Sequence, residues 1–250
     1  MHTAVRSDGA RLDGHLAEPV GAGAAAPGLV LCHGFPSGTL GATGTGSSFP
    51  TLADRIAREG WVVLTFRFRG CGDSEGNFSL AGWLADVHAG IDHLLANSSP
   101  RGIWLAGFGT GGALCASAGA ERDDVQGVAT LGAPADFDDW ASHPRRLLQH
   151  ARDISVIRNA RFPENQDAWT RELRDIRPVS VIGKLAPRPL LVVHGSEDES
   201  VPHFDARVLS DAHGSAELRI IGGAAHDLRH DPRAVAVLLG WLDRQRHASS

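Results

Sequence analysis

Short, largely apolar runs recur along this chain and alternate with stretches of helical spacing. Six runs predict strands: Gly28–Cys32, Trp61–Phe66, Ile103–Ala106, Val125–Leu131, Pro189–His194 and Leu218–Ile221. A strand that is apolar on both faces is typical of a parallel sheet covered by helices on each side. Strands that alternate with helices form right-handed βαβ units. The sequence therefore predicts an α/β fold with a mostly parallel sheet and helices on both faces.

Two regions depart from this alternation. Residues 4–16 carry Asp8-Gly9 between two short runs, which predicts a β-hairpin. Residues 135–187 mix aromatic and charged residues at helical spacing without a strand. We expect residues 135–187 to form a small helical lid over the strand ends, inserted into a single domain that spans 1–250.

Composition excludes several classes of protein. Of the 250 residues, 42% are hydrophobic and 21% are charged, and the formal net charge is −5. These values are ordinary for a globular protein and offer no basic face for nucleic acid or anionic lipid. No apolar run approaches the roughly 18 residues of a membrane span. The first residues lack the order of a signal peptide and the three cysteines are too few for a disulfide framework, so we expect a cytoplasmic location.

The residues that carry chemistry follow the predicted strands. Ligands of an open parallel sheet bind beyond the carboxyl ends of its strands. His33-Gly34-Phe35 and Gly107 to Gly111 each come directly after an apolar run. Asp198 and His226 follow the last two runs. We therefore expect these four segments to meet at one edge of the sheet.

In order and spacing, these four segments resemble the α/β-hydrolase family, and more closely its small bacterial esterase-like and serine-peptidase-like members. The resemblance covers nearly the whole chain. It implies that Asp198 is the acid and His226 the base of a catalytic triad, in the order elbow, acid, base that this family uses. It also implies a small ester- or amide-type substrate and a monomer or homodimer. No redox, nucleotide or metal cofactor is implied.

The same resemblance assigns an oxyanion hole. His33-Gly34-Phe35 is similar to the oxyanion loop, in which the backbone N–H of Phe35 faces the substrate oxygen and His33 and Gly34 border the substrate. The N–H of Thr110, next to the centre of the elbow, would be the second donor.

The centre of the elbow departs from the family pattern. The turn normally reads G-x-S-x-G, but its central residue here is Gly109. An acyl-enzyme requires a side-chain nucleophile, and glycine has none. The nucleophile normally occupies a strained backbone conformation that glycine reaches freely. We therefore expect Gly109 to stabilise the turn and to abolish covalent catalysis.

Three other residues are alternative nucleophiles. Ser74 stands in a literal G-x-S-x-G at residues 72–76, but the strand, turn and helix that this motif requires are absent there. Thr110 is adjacent to the vacant position, although its side chain should point away from the turn. Cys115 lies a turn into the next helix, where a buried free cysteine is usual. We expect none of the three to replace the missing serine.

Two other pairs of residues are candidates for binding a metal ion or an anion. His226 and His230 are four residues apart, as zinc ligands on a helix can be, but no third ligand is evident. Arg67 and Arg69 follow a predicted strand and could bind an anion, although arginines in such places usually pair with nearby acids.

The sequence leaves three functions open. In the first, His226 and Asp198 activate water directly or promote a non-hydrolytic step such as proton abstraction. In the second, the protein is a pseudoenzyme that binds a ligand or partner without turning it over. In the third, the chain is a serine hydrolase whose elbow serine has been replaced by Gly109.

Overall fold

A computed structural model describes residues 1–21, 26–36 and 41–248. The described strands form one sheet: β1 (His2–Ser7), β2 (Ala10–Ala17), β3 (Gly28–Cys32), β4 (Val62–Phe66), β5 (Ile103–Phe108), β6 (Val125–Leu131), β7 (Leu190–Gly195) and β8 (Glu217–Ile221). Their order across the sheet is β1-β2-β4-β3-β5-β6-β7-β8. The β1–β2 and β2–β4 pairs are antiparallel, and the pairs from β4 to β8 are parallel. This arrangement confirms the predicted α/β fold.

The helices connect these strands. They are α1 (Gly41–Gly44), α2 (Phe49–Arg58), α3 (Leu80–Ser98), α4 (Thr110–Glu121), α5 (Asp138–Ser142), α6 (Pro144–Asp153), α7 (Gln166–Asp175), α8 (Pro178–Val181), α9 (Phe204–His213) and α10 (Pro232–Ala248). Two 3-10 turns cover Ile182–Leu185 and Leu228–His230.

Strands β3, β4, β5 and β7 are buried on both faces, as their sequences predict, whereas β8 at the edge of the sheet is buried only at Ile221. Alternate residues of a strand point to opposite faces. In β3, Val30 joins the core layer that contains α3, α4 and α9, whereas Leu29 and Leu31 join the layer that contains α2 and α10. The carboxyl end of β5 lies between β3 and β6, so the elbow stands near the middle of the sheet.

The antiparallel end of the sheet begins with the predicted hairpin. Asp8 and Gly9 connect β1 to β2 with φ values of 46° and 82°. A two-residue turn with both φ angles positive matches the twist of the strands, and Asp-Gly is a preferred sequence for it.

Residues 135–187 contain α5 to α8 and no strand. This segment packs against the loop before α3. The N–H of Phe78 donates to the carbonyl of Val156 at 3.0 Å, and Arg158 donates to the carbonyls of Gly70 and Gly72. The helical content of the segment agrees with its sequence, while its action as a lid remains a prediction.

None of the helices in the described ranges combines the length and apolar character needed to cross a bilayer.

Candidate active site

The turn between β5 and α4 has the backbone shape of a nucleophile elbow. Gly109 has φ 52° and ψ −127°, a backbone conformation that is strained for any residue other than glycine. Its flanking glycines are required by close packing. A Cβ on Gly107 would lie 2.4 Å from the carbonyl oxygen of Gly111, and one on Gly111 would lie 2.1 Å from the carbonyl oxygen of His33. The strained turn is therefore retained although its central residue is glycine.

Asp198 and His226 lie together beside this turn. The Nδ1 atom of His226 is 2.8 Å from Oδ2 of Asp198, which is fully buried. The other oxygen of Asp198 accepts from the backbone N–H groups of Ser200 and Val201 at 2.9 and 2.8 Å. A Cβ on Gly109 would lie 3.4 Å from Nε2 of His226. The structure thus brings the three positions together and leaves the place of a nucleophilic side chain open next to the imidazole.

A second histidine contacts the same carboxylate, and the sequence reasoning missed it. Nε2 of His194 is 3.2 Å from Oδ2 of Asp198 and 3.0 Å from the carbonyl oxygen of Val201. Both of these partners are acceptors, so Nε2 of His194 carries the proton. His194 is fully buried at the end of β7. Its position four residues before Asp198 was the available signal.

These contacts fix the protonation of the dyad. Burial acts to raise the pKa of Asp198, but hydrogen bonds from His194 and His226 outweigh it and hold the pKa well below its usual range. An ionised carboxylate only accepts hydrogen bonds, so Nδ1 of His226 donates to it. When the ring is neutral, the lone pair of its Nε2 faces the vacant position at Gly109. This is the arrangement of a general base.

Of the two predicted oxyanion donors, Phe35 borders the same space and Thr110 directly follows Gly109. Phe35 and Gly34 line the cavity that contains Gly109 and His226. Thr110 is the first residue of α4, so its N–H has no acceptor within the helix and remains available for an anionic oxygen. The Thr110 side chain is buried. That the N–H groups of Phe35 and Thr110 stabilise an oxyanion remains a prediction.

His33, predicted to border the substrate, lines the cavity while its ring nitrogens bond to the backbone. Its Nδ1 donates to the carbonyl of Gly34 at 2.7 Å, and its Nε2 accepts from the N–H of Phe68 at 3.0 Å. Both nitrogens are therefore used by the backbone, although the ring borders the cavity. Burial, the largest cause, lowers the pKa of His33 to about 4, so the ring is neutral at pH 7. Through these two hydrogen bonds, His33 holds the oxyanion loop in place against Phe68.

The alternative nucleophiles are engaged elsewhere. Ser74 is fully buried; its hydroxyl donates to the carbonyl of Arg67 at 2.6 Å and accepts from the N–H of Asp13 at 2.9 Å. Cys115 is buried beside Cys32, and burial raises the pKa of the Cys32 thiol well above its ordinary value. Neither residue is positioned to take over from the missing serine.

The two other pairs of candidate ligand residues lie in different surroundings. Among the described residues, no group of three or more His, Cys, Asp or Glu side chains is placed to hold a metal ion. Arg69 donates to the fully buried Asp86 at 2.6 Å, so it is occupied by an internal ion pair. Arg67 lies 3.8 Å from Asp13 and 3.9 Å from Asp73.

The cavity at the elbow has a volume of about 380 Å³. Its described walls come from the oxyanion loop, residues 44–49, the elbow with Phe108, and residues 226–229. Within the described part of the chain, none of residues 135–187 lines it. The loop at 44–49 and the residue Arg229 are walls that the sequence did not predict, because both are brought to the elbow only by tertiary packing.

Comparisons with known proteins agree with this architecture. The sequence model described as "Alpha/beta hydrolase family" matches residues 29–238. The esterase LipC of Mycobacterium tuberculosis is 28% identical over 224 residues, which cover 78% of this chain and 54% of LipC. The chain therefore spans about half the length of this curated relative.

Solved structures show the same fold at low identity. Est1E from Butyrivibrio proteoclasticus, in a structure with bound ferulic acid, has a TM-score of 0.78 and 21% identity over 98% of this chain and 99% of Est1E. The esterase domain of a Rhodothermus marinus protein has a TM-score of 0.71 and 24% identity over 98% of both chains.

Proposed function

The chain belongs to the α/β-hydrolase family, and we propose that it hydrolyses small ester- or amide-type molecules with water, rather than a side chain, as the nucleophile. The observation that carries this proposal is the open space at Gly109, where a Cβ would lie 3.4 Å from Nε2 of a histidine that is oriented by a buried carboxylate. The esterase-like relatives support the substrate class.

The chemistry follows from the geometry. Nε2 of His226 takes a proton from a water in the vacant position, and the water oxygen bonds to the carbonyl carbon. The N–H groups of Phe35 and Thr110 stabilise the negative oxygen that forms. The bond to the leaving group then breaks, and His226 returns the proton to the departing alcohol or amine. Asp198 remains ionised throughout and stabilises the imidazolium.

Magnitudes limit the substrates. Loss of the nucleophile from a working triad costs on the order of 10⁶ in turnover, while oxyanion donors and binding alone retain roughly 10³–10⁴ over water. Direct attack by water therefore suits esters with a good leaving group. Within the ester- or amide-type class, we expect turnover to be fastest for aryl esters, slower for simple alkyl esters and slowest for amides.

Gly109 itself favours a second candidate, a pseudoenzyme that binds a ligand in the same cavity. A third reading, a serine hydrolase that carries Gly109 in place of its elbow serine, draws support from the space around Gly109, where a Cβ would meet only ordinary contacts of 3.4 Å and more. All three readings use the same small-molecule cavity and differ in what happens there.

The deciding experiment compares hydrolysis of 4-nitrophenyl acetate by the unchanged chain and by His226→Ala. Activity of the unchanged chain that disappears with His226→Ala supports direct water activation. No activity above buffer in the unchanged chain refutes it and leaves the two inactive readings. Gly109→Ser then separates those two, because only an intact triad frame gains activity from a restored serine.

A further inference from the structure

Arg229 brings a cation into the cavity beside the candidate catalytic residues. It stands three residues after His226 in the 3-10 turn Leu228–His230 and lines the same cavity as Gly109. The centre of its guanidinium lies 5.4 Å from the centroid of the Phe49 ring, which is buried. A guanidinium over an aromatic face is held by a cation–π interaction. The cation is therefore fixed at the cavity wall.

The hydrogen-bonding capacity of Arg229 is largely unused. A guanidinium has five N–H donors, and burial without acceptors is costly. Nε of Arg229 is buried and has no hydrogen-bond partner among the described residues. Nη2 contacts Nε2 of His230 at 2.5 Å and lies 3.8 Å from the nearest oxygen of Asp227, beyond hydrogen-bonding distance.

Other arginines of similar burial show what a paired guanidinium looks like in this molecule. The side chain of Arg122 is 22% exposed, the same fraction as Arg229, yet it donates to Asp92 at 2.6 Å and also bonds Asp124. Arg69 reaches Asp86 at 2.6 Å. Arg229 thus lacks the close carboxylate that Arg122 and Arg69 have.

The other titratable groups at the cavity do not neutralise this charge. His33 is neutral at pH 7 and His226 presents a lone pair when neutral. The carboxylate of Asp227 is 66% exposed, so water screens its attraction for Arg229. A carboxylate within hydrogen-bonding distance is therefore absent from the described surroundings of Arg229, and a ligand in the cavity can supply one.

We propose that Arg229 binds a carboxylate carried by the ligand, so that the cavity selects esters with an anionic group over neutral ones. One guanidinium matches the single charge of a carboxylate and its two oxygens in one plane. The ester class rests on the proposed function above, but the preference for a carboxylate does not depend on turnover.

The test is a ligand-observed NMR titration with monoethyl glutarate and with its neutral amide, ethyl glutaramate. The same spectra report released ethanol, so binding and hydrolysis are read separately. We expect the monoanion to bind about 10-fold more tightly, as a charge-assisted hydrogen bond predicts. Arg229→Gln should reduce this ratio to about 1. Asp227→Asn should increase affinity for the monoanion about 2-fold, because it removes the competing charge.

Two further variants serve as controls for the binding ratio. Arg229→Lys keeps the charge without the planar fork and should retain a ratio of about 3. Arg233→Gln removes an exposed arginine that is paired with Asp231 and should leave the ratio near 10. Thermal melts of each variant identify any that fail to fold.

Equal binding of the two ligands to the unchanged chain would overturn the proposal, as would a ratio that survives Arg229→Gln. Inorganic phosphate displacing monoethyl glutarate at lower concentration than acetate does would overturn the assignment to a carboxylate. If the ratio holds but 4-nitrophenyl acetate is not hydrolysed, the proposed function fails and this inference stands. If hydrolysis depends on His226 while the ratio is 1, the reverse applies.

Discussion

Two glycine-rich turns in this molecule each have one part of a nucleophile elbow: one has the G-x-S-x-G sequence and the other has the backbone geometry. Residues 72–76 spell G-x-S-x-G, yet their serine is buried and its hydroxyl bonds two backbone groups. Residues 107–111 lack the serine, yet Gly109 keeps the strained φ of 52° and faces the dyad. The first turn has the residue without the geometry, and the second has the geometry without the residue. Whether such a turn can take part in catalysis therefore depends more on the residues packed around it than on its match to the G-x-S-x-G motif.

The two turns are also joined. His33 accepts from the N–H of Phe68, at the start of the segment that leads to residues 72–76. Its own carbonyl lies against Gly111 of the elbow, where a Cβ would approach to 2.1 Å. Changes at the elbow, at His33 and at Ser74 can therefore test how independent the two turns are.

The largest expected effect is a gain of activity at the second turn. Gly109→Ser should increase hydrolysis of 4-nitrophenyl acetate by about 10³-fold or more, because the new hydroxyl would lie within reach of His226 Nε2. The same change should lower the free energy of unfolding by about 1–3 kcal/mol, because serine strains at φ 52°. Stopped-flow absorbance and urea denaturation measure the two effects.

The matched controls for this gain are His226→Ala and Ser74→Ala in the Gly109→Ser background. The first should remove the gain and the second should not. A gain that needs Ser74 would break the comparison between the turns.

The next effect concerns the histidine that joins the turns. The folded-state pKa of His33 is about 4, against 6.5 for an ordinary histidine. Between these values the unfolded chain binds a proton that the folded chain does not, so stability is lost as the pH falls from about 6.5 to 4. We expect this residue to contribute a loss of about 2–3 kcal/mol between pH 7 and pH 4.5.

Urea denaturation of the unchanged chain and of His33→Asn at both pH values checks this loss. The unchanged chain should lose its stability advantage over the variant at the lower pH. A constant difference between the two proteins would show that His33 is not held neutral.

A smaller effect is expected at the first turn. Ser74→Ala should lower the free energy of unfolding by about 1–2 kcal/mol, because the carbonyl of Arg67 and the N–H of Asp13 lose their partner. Turnover per folded molecule should not change. Thermal melts and active-site titration of the Gly109→Ser protein with and without this substitution separate stability from activity. Loss of turnover at full folding would contradict the structural role of Ser74.

The smallest expected effect tests whether Thr110 acts through its backbone N–H or through its side chain. Thr110→Val in the Gly109→Ser background should change the turnover number less than about 3-fold, since the proposed donor is the backbone N–H and the two side chains have similar volumes. A loss near 10²-fold would instead assign the work to the threonine hydroxyl. Steady-state kinetics with 4-nitrophenyl acetate distinguishes these outcomes.

The strands, and the order in which the candidate site residues follow them, could be predicted because the signals for them are local in the sequence. Continuous apolar runs mark β3, β4 and β5, and Asp8-Gly9 marks the hairpin. Helix limits were less accurate. The apolar spacing predicts a helix from Trp83 to Leu95, but α3 begins at Leu80, because the side chain of Ser79 accepts from the N–H of Gly82 and caps the first turn. A single serine in a loop sequence gave too weak a signal for that boundary.

The walls of the candidate site could not be predicted, because they depend on contacts between distant parts of the chain. Arg229 faces Phe49 from 180 residues away in sequence, and nothing in Asp227-Leu228-Arg229-His230 indicates an aromatic partner. His194 was available as the end of an apolar strand, but its hydrogen bond to Asp198 depends on how the following loop turns back. The pairing of Asp198 with His226 was anticipated only through the family resemblance.

Phe35 connects the cavity with the helical insertion. Its ring packs against Trp140 of α5 with centroids 5.0 Å apart, while the residue itself borders the cavity and offers a candidate oxyanion donor. The described insertion supplies none of the cavity wall, so α5 contacts the site from behind, through the ring of Phe35. The side chain of Trp140 thus supports a residue of the cavity wall without bordering the cavity itself.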